Sequence, residues 1–371
     1  MSAVFMVLTN SFDPDLRVYK EAVGLTQQGH QVEILCWDRD LRYRDKEEET
    51  LNGVRIKRFF IASQYGSGLH QIKGLLAFGK ACRRYLKGKR VDFLHCHDLD
   101  GMLAGWIAGF GGRKVVFDMH EFYESGSYAK IRPLVRFVVR RLQSRSWRIV
   151  YLNRRQKEAV AKKNLHKLVF LPNYPNKDMM EPFCRTSSQR LRVNYIGSVR
   201  DEDSLAMLVR AAHGITGVSV AIHGMGTAYE AMKQLAERYP EIAVTGRYNG
   251  LTESKGLFEN TDVLYCVYNT DVPNWKSAVP LKVYEGILSA TPVIVSAASE
   301  AQPLVERYQI GWAVDCHDEQ KLRSLLTELA QHPQLLEEKS GNLQKIQHQF
   351  TWEQVAQNLY EAYATEGGKA R

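Results

Sequence analysis

The sequence predicts an α/β protein of two doubly wound domains, and three observations carry that expectation. Apolar β-branched runs alternate with helix-length amphipathic patterns along the chain, the order expected of parallel sheets covered by helices on both faces. Polar loops recur directly after the predicted strands, where sheets of this kind bind ligands. A chain of 371 residues is also too long for one ordinary core and suits two.

Composition narrows the class. Apolar content of 44% and charged content of 25% are ordinary for a soluble globular protein. No apolar run reaches the roughly eighteen residues of a transmembrane helix. The first eight residues lack a basic region and read as a strand, so no signal peptide is expected. Six cysteines (Cys36, Cys82, Cys96, Cys184, Cys266 and Cys316) are scattered without metal-ligand spacing and fit a reducing cytoplasm. The net charge of +9 is uneven: residues 1–185 hold 33 basic against 19 acidic side chains, and residues 186–371 hold 17 against 22. One half only is therefore suited to an anionic partner.

In the first half, 4–9 reads as a strand, 10–15 as a loop and 16–28 as a helix closed by Gly29-His30. Strands follow at 31–37 and 54–60, with the charged segment 38–50 between them expected as exposed loop. A helix spans 70–86. Strand 91–96 ends in His97-Asp98-Leu99-Asp100 and feeds a Gly/Ala-rich helix, and strand 114–117 ends in Asp118-Met119-His120-Glu121. Residues 130–163 carry twelve Lys and Arg and a single acid, Glu158, interleaved with Leu134, Phe137, Val138, Leu142 and Trp147. That pattern is a basic amphipathic helix, a short strand at 148–152 and a second basic helix. It suits an anionic membrane surface or acceptor, and a solvated face gives the same pattern.

After Leu171-Pro172-Asn173 the polar stretch to Arg190 is the expected linker, placing domains at 1–185 and 186–350. Strands in the second half are expected at 192–196, 218–222, 242–244, 262–267, 293–295 and 312–314. Helices are expected at 205–212, 229–239, 252–259, from 280 onward, near 303–308, and to the C-terminus. No internal repeat or low-complexity tract is present.

The most informative stretch runs from Pro280 to Ser296. Its helix carries Lys282 and Glu285 near the N-terminus, breaks at Thr291-Pro292 and passes into a buried strand. A helix N-terminus attracts anions because its amides are free and its dipole is positive there. The Lys282 ammonium would meet phosphate oxygens and the Glu285 carboxylate would accept hydrogen bonds from a ribose diol. A surface helix with an i,i+3 ion pair has the same spacing. Gly197-Ser198 and Gly224-Met225-Gly226 follow strands and would let backbone amides approach a phosphate or base. Arg200, the cation of its loop, could neutralise a diphosphate. His97, Asp98 and Asp100 have the chemistry of a divalent-ion site. Lys282, Arg200 and helix ends can do that work here, so no metal is expected. His120, at a strand end, is the candidate polar group facing a reacting sugar.

With these loops assembled, the chain resembles the retaining glycosyltransferases of the GT-B fold, family 4, over nearly its whole length. The residues that carry the resemblance are Asp13-Pro14-Asp15-Leu16-Arg17-Val18-Tyr19-Lys20-Glu21-Ala22 with Gln28-Gly29-His30-Gln31-Val32, His97-Asp98, Phe117-Asp118-Met119-His120-Glu121, Leu171-Pro172-Asn173 and Thr351-Trp352-Glu353. Most specific is Pro280-Leu281-Lys282-Val283-Tyr284-Glu285 with Ala290-Thr291-Pro292-Val293-Ile294. The resemblance implies two Rossmann-like domains facing each other across a cleft, with a C-terminal helix (351–371) crossing back to the first. It makes Glu285 the ribose ligand, Lys282 and Arg200 the diphosphate ligands, His120 a donor-sugar contact and Gly246–Tyr248 the base contact. Gly197, Ser198, Gly224, Arg247, Tyr248, Ser277 and Leu281 complete the donor side; Asp13, Arg17, His97, Asp98 and Glu121 form the acceptor side. Two positions depart from the family pattern. Ser277 stands where the first glutamate of its E-x7-E motif is usual, and the phosphate loop, Gly197 to Asp203, lacks the usual second basic residue. Either Lys282 supplies that charge or the donor binds weakly.

The implied reaction moves a sugar from a nucleotide sugar, UDP favoured and GDP possible, to a hydroxyl of a glycan or lipid-linked acceptor in bacterial surface polysaccharide or glycolipid synthesis. No metal or other cofactor is expected, and the nucleotide sugar is a substrate. The expected location is cytoplasmic and peripheral at the inner face of the cell membrane, held through residues 130–163. A nucleic-acid partner is not expected, because the basic half lacks a recognisable motif. An epimerase of similar fold and a non-catalytic relative remain as alternatives.

Overall fold

Strands form where β-branched and apolar residues run together, and they assemble into one sheet per half of the chain. The computed structural model describes residues 1–13, 15–63, 69–123, 131–181, 183–239, 241–250 and 252–364. It divides into two units: Met1–Asn173 with the chain from Val355 onward, and Tyr174–Gln354.

The first unit contains β1 (Ala3–Leu8), α1 (Leu16–Gln27), β2 (Gln31–Asp38), β3 (Glu48–Leu51), β4 (Val54–Phe60), α2 (Leu69–Leu86), β5 (Phe93–His97), α3 (Asp98–Ala108), β6 (Lys114–Asp118), α4 (Arg132–Arg145), β7 (Arg148–Tyr151), α5 (Arg154–Ala159) and β8 (Leu168–Phe170). The sheet order is β3-β4-β2-β1-β5-β6-β7-β8, parallel except for β3 against β4. Central strands are buried along nearly their whole length, as expected of a sheet covered on both faces. Strand β3 lies within and just beyond the segment expected as loop. Its charged sequence conceals it, because an edge strand is held here by ion pairs rather than by an apolar face. Lys57 of β4 meets Glu47 at 2.6 Å and Glu48 at 2.7 Å, and Arg58 meets Glu49 at 2.5 Å.

The second unit contains β9 (Leu191–Ile196), α6 (Glu202–Ala212), β10 (Val218–His223), α7 (Tyr229–Ala236), β11 (Ile242–Gly246), α8 (Ser254–Glu259), β12 (Val263–Cys266), α9 (Pro273–Lys276), α10 (Leu281–Leu288), β13 (Val293–Ser296), α11 (Gln302–Tyr308), β14 (Gly311–Val314), α12 (Glu319–Gln331) and α13 (Gln334–Ile346). Its sheet, β11-β10-β9-β12-β13-β14, is parallel throughout. Gly286 lets α10 lie close on the sheet: a Cβ there would sit 2.8 Å from Val293. The final helix, α14 (Trp352–Ala364), begins in the second unit and continues in the first, where the Tyr363 hydroxyl is 2.8 Å from His95 Nδ1.

The division falls at Asn173/Tyr174, twelve residues before the expected boundary at 185. The intervening residues belong to the second unit because they pack there. The Tyr174 ring lies 4.7 Å from that of Tyr284 and 5.5 Å from that of Phe350. Arg185 donates to the Ser289 and Ala290 carbonyls at 3.2 and 3.1 Å and to Thr291 Oγ1 at 2.9 Å. A cation at the C-terminal end of α10 satisfies carbonyls that the helix leaves open.

Candidate active site

In the second unit, β9 ends at Ile196 and the chain turns at Gly197 with φ of 145°. The next strand, β10, turns at Gly224 with φ of 134°, where a Cβ would overlap the Gly197 carbonyl oxygen. Both positions require glycine. Lys282, in the first turn of α10, lies under this pair. A Cβ at Gly197 would be 3.0 Å from its Nζ. The Lys282 side chain is 5% exposed, and its Nζ has no hydrogen-bond partner among the described residues. It sits 3.3 Å over the Tyr195 ring and 5.3 Å from that of Tyr268. Aromatic faces soften the burial of an ammonium but leave its three N–H donors unanswered. Pro280, the N-cap of α10, supplies no side-chain cap. A buried unpaired cation and an uncapped helix start together form an anion-binding arrangement.

The neighbouring helix start is different. Asp201 caps α6, accepting from Ser204 N at 3.3 Å and Ser204 Oγ at 2.7 Å, and also from Asn269 N at 2.7 Å. Glu202 and Asp203 follow in its first turn. That end of the glycine loop already holds carboxylates, whereas the first turn of α10 holds none. Leu281 is the first residue of α10, and Glu285, half-buried, lies one turn along it. Tyr248 is half-buried, and its hydroxyl pKa is raised by burial and then by the Glu285 charge. Arg200, Ser198 and Arg247 are exposed. Ser277 closes the short helix α9, its hydroxyl donating to the Pro273 carbonyl at 2.6 Å.

In the first unit, the carboxyl ends of β5 and β6 gather a buried polar network. Asp118 ends β6 and accepts from Arg17 Nε at 3.0 Å and a second Arg17 nitrogen at 2.8 Å, from His97 Nδ1 at 3.1 Å and from His120 Nε2 at 2.9 Å. Burial alone would raise the Asp118 pKa, but Arg17 and His120 hold it well below the ordinary range. Asp118 in turn raises His120 to about 9 against the opposing effect of burial. His120 is therefore an imidazolium at neutral pH. It is one-fifth exposed, whereas Asp118 and His97 are wholly buried. Arg17 also donates to the Leu171 carbonyl at 3.0 Å and pairs with Glu21 at 3.2 Å. Burial and the Asp118 charge push Glu21 up to about 8. His95, on the same face of β5 as His97, lies 3.4 Å from Glu21, and burial keeps both histidines neutral.

Two of the residues expected on the acceptor side are buried. Arg17 is 6% exposed with its donors turned inward, and His97 is fully buried. Both serve as supports behind Asp118, and through it they fix His120. Asp98 is half-buried, and Asp13 and Glu121 are exposed. His97, Asp98 and Asp100 do not form one ligand set among the described residues: His97 Nδ1 turns to Asp118, and Asp98 accepts from the Leu99 amide at 3.1 Å. A different group brings ligand atoms within 4.8 Å of one another: Glu21, His95, His97 and Asp118. The Arg17 guanidinium already supplies positive charge among these carboxylates. Sequence reasoning missed Glu21 and His95. The available signals were the i,i+4 pairing of Glu21 with Arg17 and the alternation His95-Cys96-His97, which places both rings on one strand face.

Residues 15–174 match the family model described as a glycosyl transferase 4-like domain. The matched stretch spans most of the first unit. The whole chain shares the GT-B fold, two parallel-sheet domains, with known glycosyltransferases. The sucrose-phosphate synthase of Thermosynechococcus elongatus is 16% identical with a TM-score of 0.79, each chain covered to 98%. HepE of Anabaena, solved with UDP-glucose, is 14% identical with a TM-score of 0.72, covering 99% of this chain and 100% of its own. TarM of S. aureus, solved with UDP, is 9% identical with a TM-score of 0.72 over 98% of this chain and 100% of its own. No curated protein sequence matches significantly. In the first unit, the Asp118 network and His120 thus occupy the strand ends where doubly wound sheets bind ligands.

Proposed function

We propose that the protein transfers a glycosyl group, with retention, from a UDP-sugar bound in the second unit to a hydroxyl of a glycan or lipid-linked acceptor. One observation carries the donor side: the buried, unpaired Lys282 ammonium beneath the Gly197 and Gly224 turns at the uncapped start of α10. A diphosphate would answer its donors and the free amides together. Glu285, one turn along, would accept from the ribose hydroxyls. UDP is favoured because HepE and TarM were solved with UDP or UDP-glucose.

In the proposed reaction the bond from the anomeric carbon to the diphosphate oxygen breaks as the acceptor oxygen attacks the same face. The acceptor proton passes to the departing phosphate oxygen. Lys282 and the α10 amides stabilise the charge that develops there, the kind of preorganised electrostatic contribution that dominates many catalysts. The imidazolium of His120 offers a charged donor to an acceptor or sugar oxygen. The phosphate charge is met by protein groups, and the reaction proposed here requires no metal. The biological setting we propose is bacterial surface polysaccharide or glycolipid synthesis, at the cytoplasmic face of a membrane.

A thermal-shift screen of nucleotide sugars, followed by a transfer assay on lipid-linked acceptors, tests this. Glu285→Ala should lower kcat/KM for the donor by roughly ten- to a hundredfold, the loss of a charged hydrogen bond. Unchanged turnover in that variant would rule out the ribose role.

A further inference from the structure

The basic helix α4 divides its apolar residues between two sides. Its buried side is made by Val135, Leu142 and Gln143. Leu134 and Phe137 are 61% and 68% exposed, and Ile131 just before the helix is 49% exposed. Helical spacing puts Leu134 and Phe137 on the face that also carries Arg140 and Arg141. Both arginines are exposed, as is Arg145 in the last turn. The helix contains five arginines and no acid. Lys130 lies outside the described residues.

A merely solvated basic face would not present large apolar side chains at its centre. We infer that this face of α4 docks on an anionic lipid bilayer, with Leu134 and Phe137 entering the headgroup–acyl boundary and Arg140, Arg141 and Arg145 meeting lipid phosphates. Charge complementarity selects that occupant: the exposed Arg140, Arg141 and Arg145, on an element that contains no acid, suit a surface of phosphates, while the apolar pair needs a nonpolar layer beneath it. Each arginine near such a surface strengthens attachment roughly fivefold. This deepens the membrane setting proposed above by naming the face and the mode of attachment, and it holds whatever the sugar donor.

The test uses the full chain and vesicles of phosphatidylcholine with or without phosphatidylglycerol, at physiological salt, with UDP binding measured on every variant. The wild type should sediment with the mixed vesicles and much less with phosphatidylcholine alone. Phe137→Glu should weaken that attachment by roughly ten- to a hundredfold, the loss of one buried aromatic side chain, while UDP binding is kept. The Arg140→Glu, Arg141→Glu double variant should weaken it comparably. Phe137→Trp should retain binding and show blue-shifted emission, quenched by brominated acyl chains, on mixed vesicles only. Three results would overturn the inference. One is Phe137→Glu sedimenting like wild type. Another is Phe137→Trp emission indifferent to lipid. The third is a concentration-dependent dimer that Phe137→Glu disrupts without any vesicle binding, which would make a second copy the occupant. Loss of UDP binding in the wild type would instead count against the donor reading alone.

Discussion

Arg17 grips both carboxylate oxygens of Asp118, at 3.0 and 2.8 Å, with both side chains almost fully out of solvent. The pair joins the first turn of α1 to the end of β6. Asp118 receives two further donors from His97 and His120. One ionised carboxylate thus organises four donors from three separate chain segments.

Replacing that carboxylate should be severe. Asp118→Asn removes the bidentate charge partner of a buried guanidinium and turns an amide N–H toward groups that are themselves donors. Breaking a buried pair from one side costs roughly 3–5 kcal/mol. Chemical denaturation should show a loss of that size. NMR of the folded fraction should show the His120 pKa falling from about 9 toward the ordinary imidazole value.

The same network predicts a pH dependence. His120 has a folded pKa of about 9, above an unfolded value of about 6.5. Its stabilising proton is fully held below the unfolded value and is lost as pH rises through the folded one. Thermal stability should therefore decline between about pH 6.5 and 9. Glu21, raised to about 8, adds to the same trend, since the unfolded carboxyl gives up its proton at lower pH than the folded one. Melting curves of wild type and His120→Asn across this range provide the check. The variant should show a flatter decline, and parallel curves would remove His120 as the cause.

Gly224 supports the second unit's site from below. A methyl group there would overlap the Gly197 carbonyl oxygen, and φ of 134° is poorly accessible to alanine. Gly224→Ala should cost roughly 1–3 kcal/mol by overpacking and should displace the turn over Lys282. Denaturation midpoint and UDP affinity should fall together. A destabilised variant with undiminished UDP affinity would detach the turn from the ligand.

Much of this was legible in the residues, for uneven physical reasons. Parallel strands were readable because both of their faces are buried, which makes them runs such as Val293-Ile294-Val295. Strand β3 was not, because the Glu48–Lys57 pairing that holds it is visible only once the strands are paired. The Lys282–Glu285 spacing pointed to a phosphate-and-ribose site, but it could not show that the ammonium would be buried without a partner. Arg17 and His97 were recognised as important, but their burial was not foreseen. Burial depends on how α1 closes over the ends of β5 and β6, and local spacing does not encode that. The segment 130–163 was readable as basic and amphipathic, but its spacing did not show which apolar residues the first unit would bury; Val135 and Leu142 are buried, whereas Leu134 and Phe137 are exposed.

The most direct measurement is calorimetric titration of UDP, UMP and uridine into wild type and Lys282→Met, a variant that keeps the unbranched stem and removes the charge. Wild type should bind UDP well above UMP and uridine. Lys282→Met, folded and melting near the wild-type temperature, should lose most of the preference for the diphosphate, a drop of roughly tenfold or more for one charged hydrogen-bonding group. Equal UDP affinity in the two proteins would contradict the assignment of Lys282 as the diphosphate anchor.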